Sequence, residues 1–424
     1  MEYYTPKGLQ DILPEEIDYW QEAESTIRKE MSNYRYREIR TPIMEKTDVF
    51  ARGVGEDTDI VSKEMYTFQD KGGRSVTLRP EGTAPVVRAY LEHKIHGREE
   101  LSKFFYIGPM FRYEAPQKGR SRQFHQYGAE AIGSNDPALD AEIIELGVSL
   151  LHSLGITDVG LALNSIGCPD DREEYEEELV SFLTPRREDL CPDCRNRIDT
   201  NPLRVLDCKE ETCREVVSSA PKIREFLCEE CRDHFAGVQS YLDEVEINYE
   251  LDYSIVRGLD YYTQTVFEVF SSALGAQDAL IGGGRYNGLV EVLGGDPTPA
   301  VGFAAGMERL ILILRELDRA VSQDDLQLYI AYLDEPTKKV AFRVLRDLRN
   351  AGLSVETDYL QKSLQGQLGY ADRYGADYTV IIGPDEMERE EITLRDMSTG
   401  DQANIPLENS TSRILEIIES EGER

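Results

Sequence analysis

This sequence predicts an α+β core built on a mostly antiparallel sheet. The core carries a helical, cysteine-containing insertion and is followed by a separate small α/β domain. Three observations predict this. Two apolar-rich segments between Phe104 and Ile132 flank a long charged stretch, the pattern of an antiparallel hairpin with a basic tip. All seven cysteines fall within residues 168–243, where the periodicity is helical, and strand-like segments resume after them. Beyond residue 325 strand and helix patterns alternate, as in an α/β unit. The expected division is 1–167 and 244–320 for the core, 168–243 for the insertion and 325–424 for the last domain. The length of 424 residues suits two or three domains.

Taken in order, Ile17, Trp20, Ile27 and Met31 recur at helical spacing over 15–33, and Pro14, Glu15 and Glu16 suit the start of a helix. Residues 36–45 read as a strand with Pro42 at its exit. Residues 74–80 read as a short strand, and 81–93 as a helix. Strands 104–113 and 123–132 enclose the charged loop 114–122, and 137–154 is an apolar-periodic helix. Within the insertion, helical stretches are 175–182, 216–227 and 235–242. The sheet resumes at 249–253 and 263–270 and continues through 282–289, before a helix over about 302–317. After a polar boundary at 322–325 come strand 327–333, helix 336–351, strand 353–357, helix 362–374, strand 377–382 and helix 410–420.

Composition narrows the function classes. Formal net charge is −33, from 80 acidic and 47 basic residues, and 34 of the basic residues are arginine. With 40% hydrophobic residues the chain has the material of a folded core rather than of a disordered acidic tail. Scarce lysine on an acidic surface predicts adaptation to concentrated salt, where the Debye length shrinks to about 3 Å at 1 M. Thermal stability is therefore expected to rise as KCl goes from roughly 0.1 to 2 M. A melting temperature that stays flat or falls would remove the salt-adaptation reading. Bulk acidity disfavours a nucleic-acid partner held by overall charge, leaving local arginine clusters as the route to phosphate. No run of 18 apolar residues predicts a membrane span. The N-terminus lacks the basic and apolar regions of a secretory signal, so a cytoplasmic protein is expected.

Five stretches carry candidate chemistry. Residues 257–267 (RGLDYYTQTVF) set Arg257 beside Tyr261 and Tyr262 at the mouth of an apolar strand. The arginine fork suits a carboxylate or phosphate, and the tyrosines offer hydroxyls and flat walls. Residues 111–130 gather Arg112, Lys118, Arg120 and Arg122 around one loop, an anion site for polyphosphate or an RNA backbone. Alternation there puts Gln126, Gly128 and Glu130 on one face. Residues 300–310 place Gly302, Ala304, Ala305 and Gly306 before Arg309, allowing close approach of helix and sheet. Residues 282–289 (GGGRYNGL) permit close backbone approach near Tyr286, at a spacing that fits neither a Rossmann nor a P-loop fingerprint. Residues 78–84 (LRPEGTA) set Glu81 at a strand-to-helix turn.

Together these stretches resemble the class II aminoacyl-tRNA synthetases, and within them the histidyl-tRNA synthetase family, from about residue 4 to 420. Pro42 with its preceding strand resembles motif 1, residues 104–130 motif 2 and residues 300–310 motif 3. Residues 257–267 and 282–289 resemble the histidine-specific signatures. The resemblance implies ATP-dependent activation of L-histidine and its transfer to histidine tRNA by a homodimer whose interface uses motif 1. It implies that Glu81, Gly82 and Thr83 hold the α-amino group. Gln126 helps seat the amino acid, and Glu130, Tyr261, Tyr262 and Tyr286 form the imidazole pocket. Arg112, Glu114 and Arg309 bind ATP, which arrives with Mg²⁺. Arg257 contacts the α-phosphate and the carboxylate; it and Arg112 are the implied catalytic residues. Residues 325–420 resemble the anticodon-binding domain of this subclass. Two departures, Ala115 and Gln264, stand where relatives often carry arginine, or glycine or arginine. Two rivals remain, one from another class and one from the same class. A non-catalytic regulatory paralogue usually lacks the C-terminal domain and degrades the Arg257 stretch. A synthetase for another amino acid is disfavoured by Glu130 with Tyr261 and Tyr262.

The cysteines form two CxxC pairs, Cys191 with Cys194 and Cys228 with Cys231. Two such pairs can make one tetrahedral Zn²⁺ site. Cys208 and Cys213 lie between them, and free buried cysteines are the other reading. His125 and His152 read as structural.

Overall fold

The computed structural model describes residues 3–55, 58–114, 121–271, 278–317 and 326–422. The chain divides into two compact units, Met1–Arg319 and Ala320–Arg424. The first is built on an eight-stranded sheet. Its spatial order is Arg37–Glu38, Ser102–Phe111, Gln123–Ile132, Ala300–Gly306, Asp278–Arg285, Thr263–Ser271, Val159–Ser165 and Glu250–Leu251. The two edge pairings are parallel and the five inner ones antiparallel.

Period-two alternation gives this sheet two apolar faces. On one face Phe105, Tyr127, Phe267 and Phe303 pack under the helices Pro14–Asn33, Pro137–Ser153, Glu229–Glu244 and Met307–Glu316, which contribute Trp20, Ile144, Val238 and Leu310. Fully burying a side chain of this size stabilises by about 1.5–3 kcal/mol. On the other face Phe104, Tyr106 and Val266 meet the helix Thr83–Glu92 and the insertion residues Tyr175, Leu179 and Leu183. The candidate site lies on this second face.

A buried polar group joins the insertion to the first face. Arg285 Nε donates to both carboxylate oxygens of Asp140 at 3.1 Å, and His234 Nε2 lies 3.2 Å from Asp140 Oδ1. Burial alone would raise the Asp140 pKa, but His234 and Arg285 outweigh it and hold the carboxyl below its ordinary range. Losing Arg285 would remove the strongest compensation for this buried carboxylate.

Several expected elements differ. The strand over 36–45 splits at Pro42. Arg37–Glu38 joins the main sheet, while Met44–Lys46 enters a three-stranded antiparallel sheet with Ser75–Leu78 and Tyr66–Gln69. A ring without an N–H suits such a break. The helix over 302–317 begins later: Ala300–Gly306 is a central strand and the helix is Met307–Glu316. The insertion helix over 216–227 is instead Glu211–Val217 followed by a 3₁₀ turn, Ile223–Glu225, with Pro221 between them. The three glycines at 282–284 lie within a strand.

The second unit holds a five-stranded sheet in the order Val355–Thr357, Leu328–Tyr332, Tyr378–Ile382, Glu391–Asp396 and Gln402–Pro406. Its first two pairings are parallel and its last two antiparallel. Helices Glu335–Asn350, Leu364–Arg373 and Ser410–Gly422 follow the expected alternation, and the two antiparallel strands extend it. The polar boundary at 322–325 lies outside the described residues.

Candidate active site

A row of residues crosses five strands of the second face. Tyr106 pairs with Gly128, Gly128 with Ala304, Ala304 with Gly282, and Gly282 with Glu268. The three middle positions are nearly without side chains, so the row is a trough. Larger groups lean into it from the ends. A Cβ on Gly128 would stand 2.5 Å from the Tyr106 hydroxyl, and one on Gly282 would stand 2.1 Å from Arg257 Nη2. In the next row Gly302 faces Glu130, and a Cβ there would meet Glu130 Oε2 at 2.0 Å. Glycine is required at these positions because site side chains fill the space a Cβ would take.

Glu130 is fully buried, and each of its oxygens accepts a hydrogen bond. Thr83 Oγ1 donates to Oε1 at 2.6 Å, and the Tyr286 hydroxyl donates to Oε2. Burial pushes its pKa up to about 8; the Thr83 and Tyr286 hydrogen bonds oppose this, and the nearby Glu81 charge adds to it. Glu81 caps the turn into the helix Thr83–Glu92, accepting from the Thr83 amide at 2.7 Å and the Ala84 amide at 3.0 Å. Burial raises its pKa, and those amides counter part of the rise. Gly82 lets the turn pass under the Tyr106 ring, 2.3 Å from where a Cβ would sit.

The tyrosines wall the site. Tyr261 and Tyr262 have ring centroids 4.6 Å apart, and Tyr261 meets Tyr286 edge-on at 5.6 Å. The Arg257 guanidinium lies 5.8 Å from the Tyr262 centroid and pairs with Glu268. Three buried polar atoms in this region have no hydrogen-bond partner among the described residues: Tyr106 Oη, Gln126 Oε1 and Arg257 Nε. Buried polar groups are rarely left so without a ligand to complete them.

Glu81, Gly82, Thr83, Glu130, Tyr261, Tyr262, Tyr286 and Arg257 therefore converge. Gln126 stands on the same face, opposite Gly108 and Gly306. Arg112 leaves the hairpin strand with its guanidinium 5.3 Å over Phe124, donating from Nε to Pro80 O at 2.8 Å, with Glu114 3.9 Å away. Arg309, in the first turn of its helix, donates to Ala279 O at 2.6 Å. It lines a cavity of about 830 Å³ together with Glu268, the partner of Arg257. Lys118, Arg120 and Ala115 lie outside the described residues. His125 is held by Glu308, 3.1 Å from its Nδ1, and by the edge of Trp20.

Tyr106 and Glu268 were missed by sequence reasoning. Alternation along Ser102–Phe111 puts Tyr106 on the Glu130 face, and Glu268 is an acid inside the apolar run Val266–Phe270; both signals were present. Gln264 has a physical account in the structure. Its φ is +49°, in the left-handed region that favours glycine, and its Oε1 accepts from Asn287 Nδ2 at 3.0 Å.

The expected zinc set of Cys191, Cys194, Cys228 and Cys231 is corrected by the structure. The two CxxC pairs fall into separate clusters, one completed by Cys208 and Cys213 and the other by Cys168 and Asp171. Each pair starts its own helix, and sequence spacing carries no information on which helices meet.

The family model described as histidyl-tRNA synthetase matches residues 8–310, and that of an anticodon binding domain matches residues 327–417. A histidine–tRNA ligase of Halothermothrix orenii is 52% identical, covering 99% of this chain and 100% of the relative. One from Oceanobacillus iheyensis is 48% identical over 99% of this chain and 98% of its own length. The crystal structure of apo S. aureus histidyl-tRNA synthetase is 40% identical, with a TM-score of 0.82 over 97% of this chain and 99% of that one. On the trough, its buried glutamate and these full-length likenesses, the chain belongs to the histidyl-tRNA synthetase family.

Proposed function

We propose that this chain is a histidine–tRNA ligase whose histidine pocket is the Glu130 cluster and whose reacting centre lies beneath Arg257. The observation that carries this reading is the buried Glu130, bonded to Thr83 and Tyr286, in the row beside a trough over whose far end Arg257 leans. A carboxyl with a pKa of about 8 facing an imidazole of ordinary pKa about 6.5 shares one proton with it near neutrality. The pair is then hydrogen-bonded whichever partner holds the proton. A side chain unable to join it would bury against the Glu130 carboxyl without exchanging a proton or hydrogen bond with it, a strong basis for discrimination.

Glu81 with Thr83 receives the α-ammonium group, and Gln126 seats the backbone end of the amino acid. The histidine carboxylate attacks the α-phosphorus of ATP in line, forming the acyl–phosphate bond as pyrophosphate leaves. No protein nucleophile is needed, so catalysis rests on positioning and charge stabilisation. Arg257 offsets charge on the α-phosphate, and Arg112, with Glu114 beside it, and Arg309 hold the outer phosphates. Mg²⁺ brought with ATP supplies further charge neutralisation. The terminal ribose hydroxyl of tRNA then attacks the adenylate carbonyl, releasing AMP. The second unit would read the anticodon. Exposed Ile43, Met44 and Phe68 beside Pro42 support a homodimer formed through the small sheet. No helix among the described residues is long and apolar enough to cross a membrane, in keeping with action in the cytoplasm.

The test is histidine-dependent exchange of pyrophosphate into ATP, with the other amino acids as controls. Exchange with histidine alone is expected. A folded chain with no exchange at low or molar KCl would overturn the reading in favour of a regulatory subunit.

A further inference from the structure

We propose that Cys191, Cys194, Cys208 and Cys213 bind one zinc ion as a tetrahedral tetrathiolate site that fixes the insertion's wall beside Arg257. The four sulfurs all lie within 4.8 Å of one another, and Cys191 Sγ is 3.9 Å from Cys208 Sγ. Four thiolates about 2.3 Å from a central zinc would be about 3.8 Å apart, so a small contraction closes the site. The spacing C-x₂-C-x₁₃-C-x₄-C resembles that of structural zinc sites, in which close cysteine pairs are brought together by a fold.

Local structure presents these sulfurs as ligands. Cys191 is the N-cap of the helix Pro192–Thr200, and its Sγ accepts from the Cys194 amide at 3.5 Å. The Cys191 amide donates to Cys213 Sγ at 3.2 Å, bringing in a residue of the helix Glu211–Val217. Amide donors favour the charged thiolate, which is the form that binds a metal. Buried cysteines also serve as small apolar fillers. Filling, however, does not require four sulfurs to converge while amides point at them. A binuclear iron–sulfur cluster would spread four thiolates over two metals and wider apart.

The loop that the ion would close runs from Cys194 to Cys208, and it touches the candidate active site. Asn201 Nδ2 donates to Asp260 Oδ1 at 3.3 Å. The Arg204 guanidinium lies against Gly258, where a Cβ would stand 2.7 Å from Nη1. Both contacts fall on the segment joining Arg257 to Tyr261. In the second cluster Asp171 already accepts from the Cys168 amide at 3.2 Å and the Cys228 amide at 3.0 Å, as a structural cap does. The inference is therefore confined to the first cluster and stands apart from the reading of the reaction.

The test uses the full chain expressed in zinc-replete medium. Metal analysis and zinc-edge X-ray absorption are run on the wild type, on Cys208→Ser and on Cys228→Ser. The expected result is four sulfur neighbours at about 2.3 Å, with bound zinc falling about tenfold or more in Cys208→Ser and persisting in Cys228→Ser. If Cys208→Ser fails to fold, the wild-type spectrum decides. Three sulfurs and one oxygen would assign the ion to the Cys168, Asp171, Cys228 and Cys231 cluster and overturn the proposal. So would a zinc-free wild type whose seven thiols all titrate freely.

Discussion

Arg257→Ala is expected to lower histidine-dependent pyrophosphate exchange by about 10²–10³-fold or more, with little change in the KM for ATP. The reason lies in its placement. Arg257 is the cation that leans into the trough, over Gly282, where a Cβ would stand 2.1 Å from its Nη2. In the proposed reaction it meets charge that grows on the α-phosphate during attack, which would affect kcat more than ground-state binding. ATP affinity would rest on Arg112 and Arg309, which the substitution leaves in place. Arg257→Lys should recover part of the rate, because the charge is kept and the fork is lost. Because Glu268 is the present partner of Arg257, the double variant with Glu268→Gln separates a missing cation from a newly unpaired carboxylate. Near-normal exchange in Arg257→Ala would remove Arg257 from the chemistry.

Glu130→Ala is expected to raise the KM for histidine by about 10³-fold or more and to relax the choice of amino acid. It deletes the hydrogen-bonding partner of the ring and leaves the Thr83 and Tyr286 hydroxyls unpaired in a buried site. The conservative Glu130→Gln tests the protonation argument in the ligand-free chain. Burial raises the Glu130 pKa from 4.5 to about 8 in the folded state. Stability associated with the protonated form is complete below pH 4.5 and is lost as pH rises through about 8. Relative to the wild type, Glu130→Gln should therefore gain stability progressively across that window and level off above it. Urea unfolding of both chains from pH 5 to 9 reads this difference, which is on the order of a few kcal/mol. Parallel pH profiles would show that Glu130 is ionised throughout, and the shared-proton pocket would fail.

Much of this molecule was legible because local pattern and tertiary role agree. The helix Pro14–Asn33 shows its buried stripe of Trp20, Ile27 and Met31, and the hairpin 104–132 shows its two strands. The candidate residues Glu81, Glu130, Arg257, Tyr261 and Tyr286 were picked out through the family motifs. They converge because four separate segments are brought onto one sheet face. What was not legible was non-local or ambiguous. Residues 300–306 are glycine- and alanine-rich, and small residues satisfy a helix start and a crowded central strand equally well. The partition of the cysteines depends on which helices meet. Tyr106 was overlooked because its meaning comes from Gly128 across the hairpin rather than from its own neighbours.

The bond of Asp140 with Arg285 and His234 also constrains the order in which the chain can fold. Asp140 is separated from His234 by 94 residues and from Arg285 by 145. A nascent chain leaving the ribosome has therefore made the helix Pro137–Ser153 long before either partner exists. Until residue 285 emerges, closing the helical layer over the sheet would bury the Asp140 carboxylate without its arginine, at a cost of several kcal/mol. Completion of the core is therefore expected to wait for the insertion and the strand after it, which carry His234 and Arg285. The insertion is thus a participant in assembly, and a chain cut short before Arg285 would be left with an apolar sheet face exposed to aggregation and proteolysis.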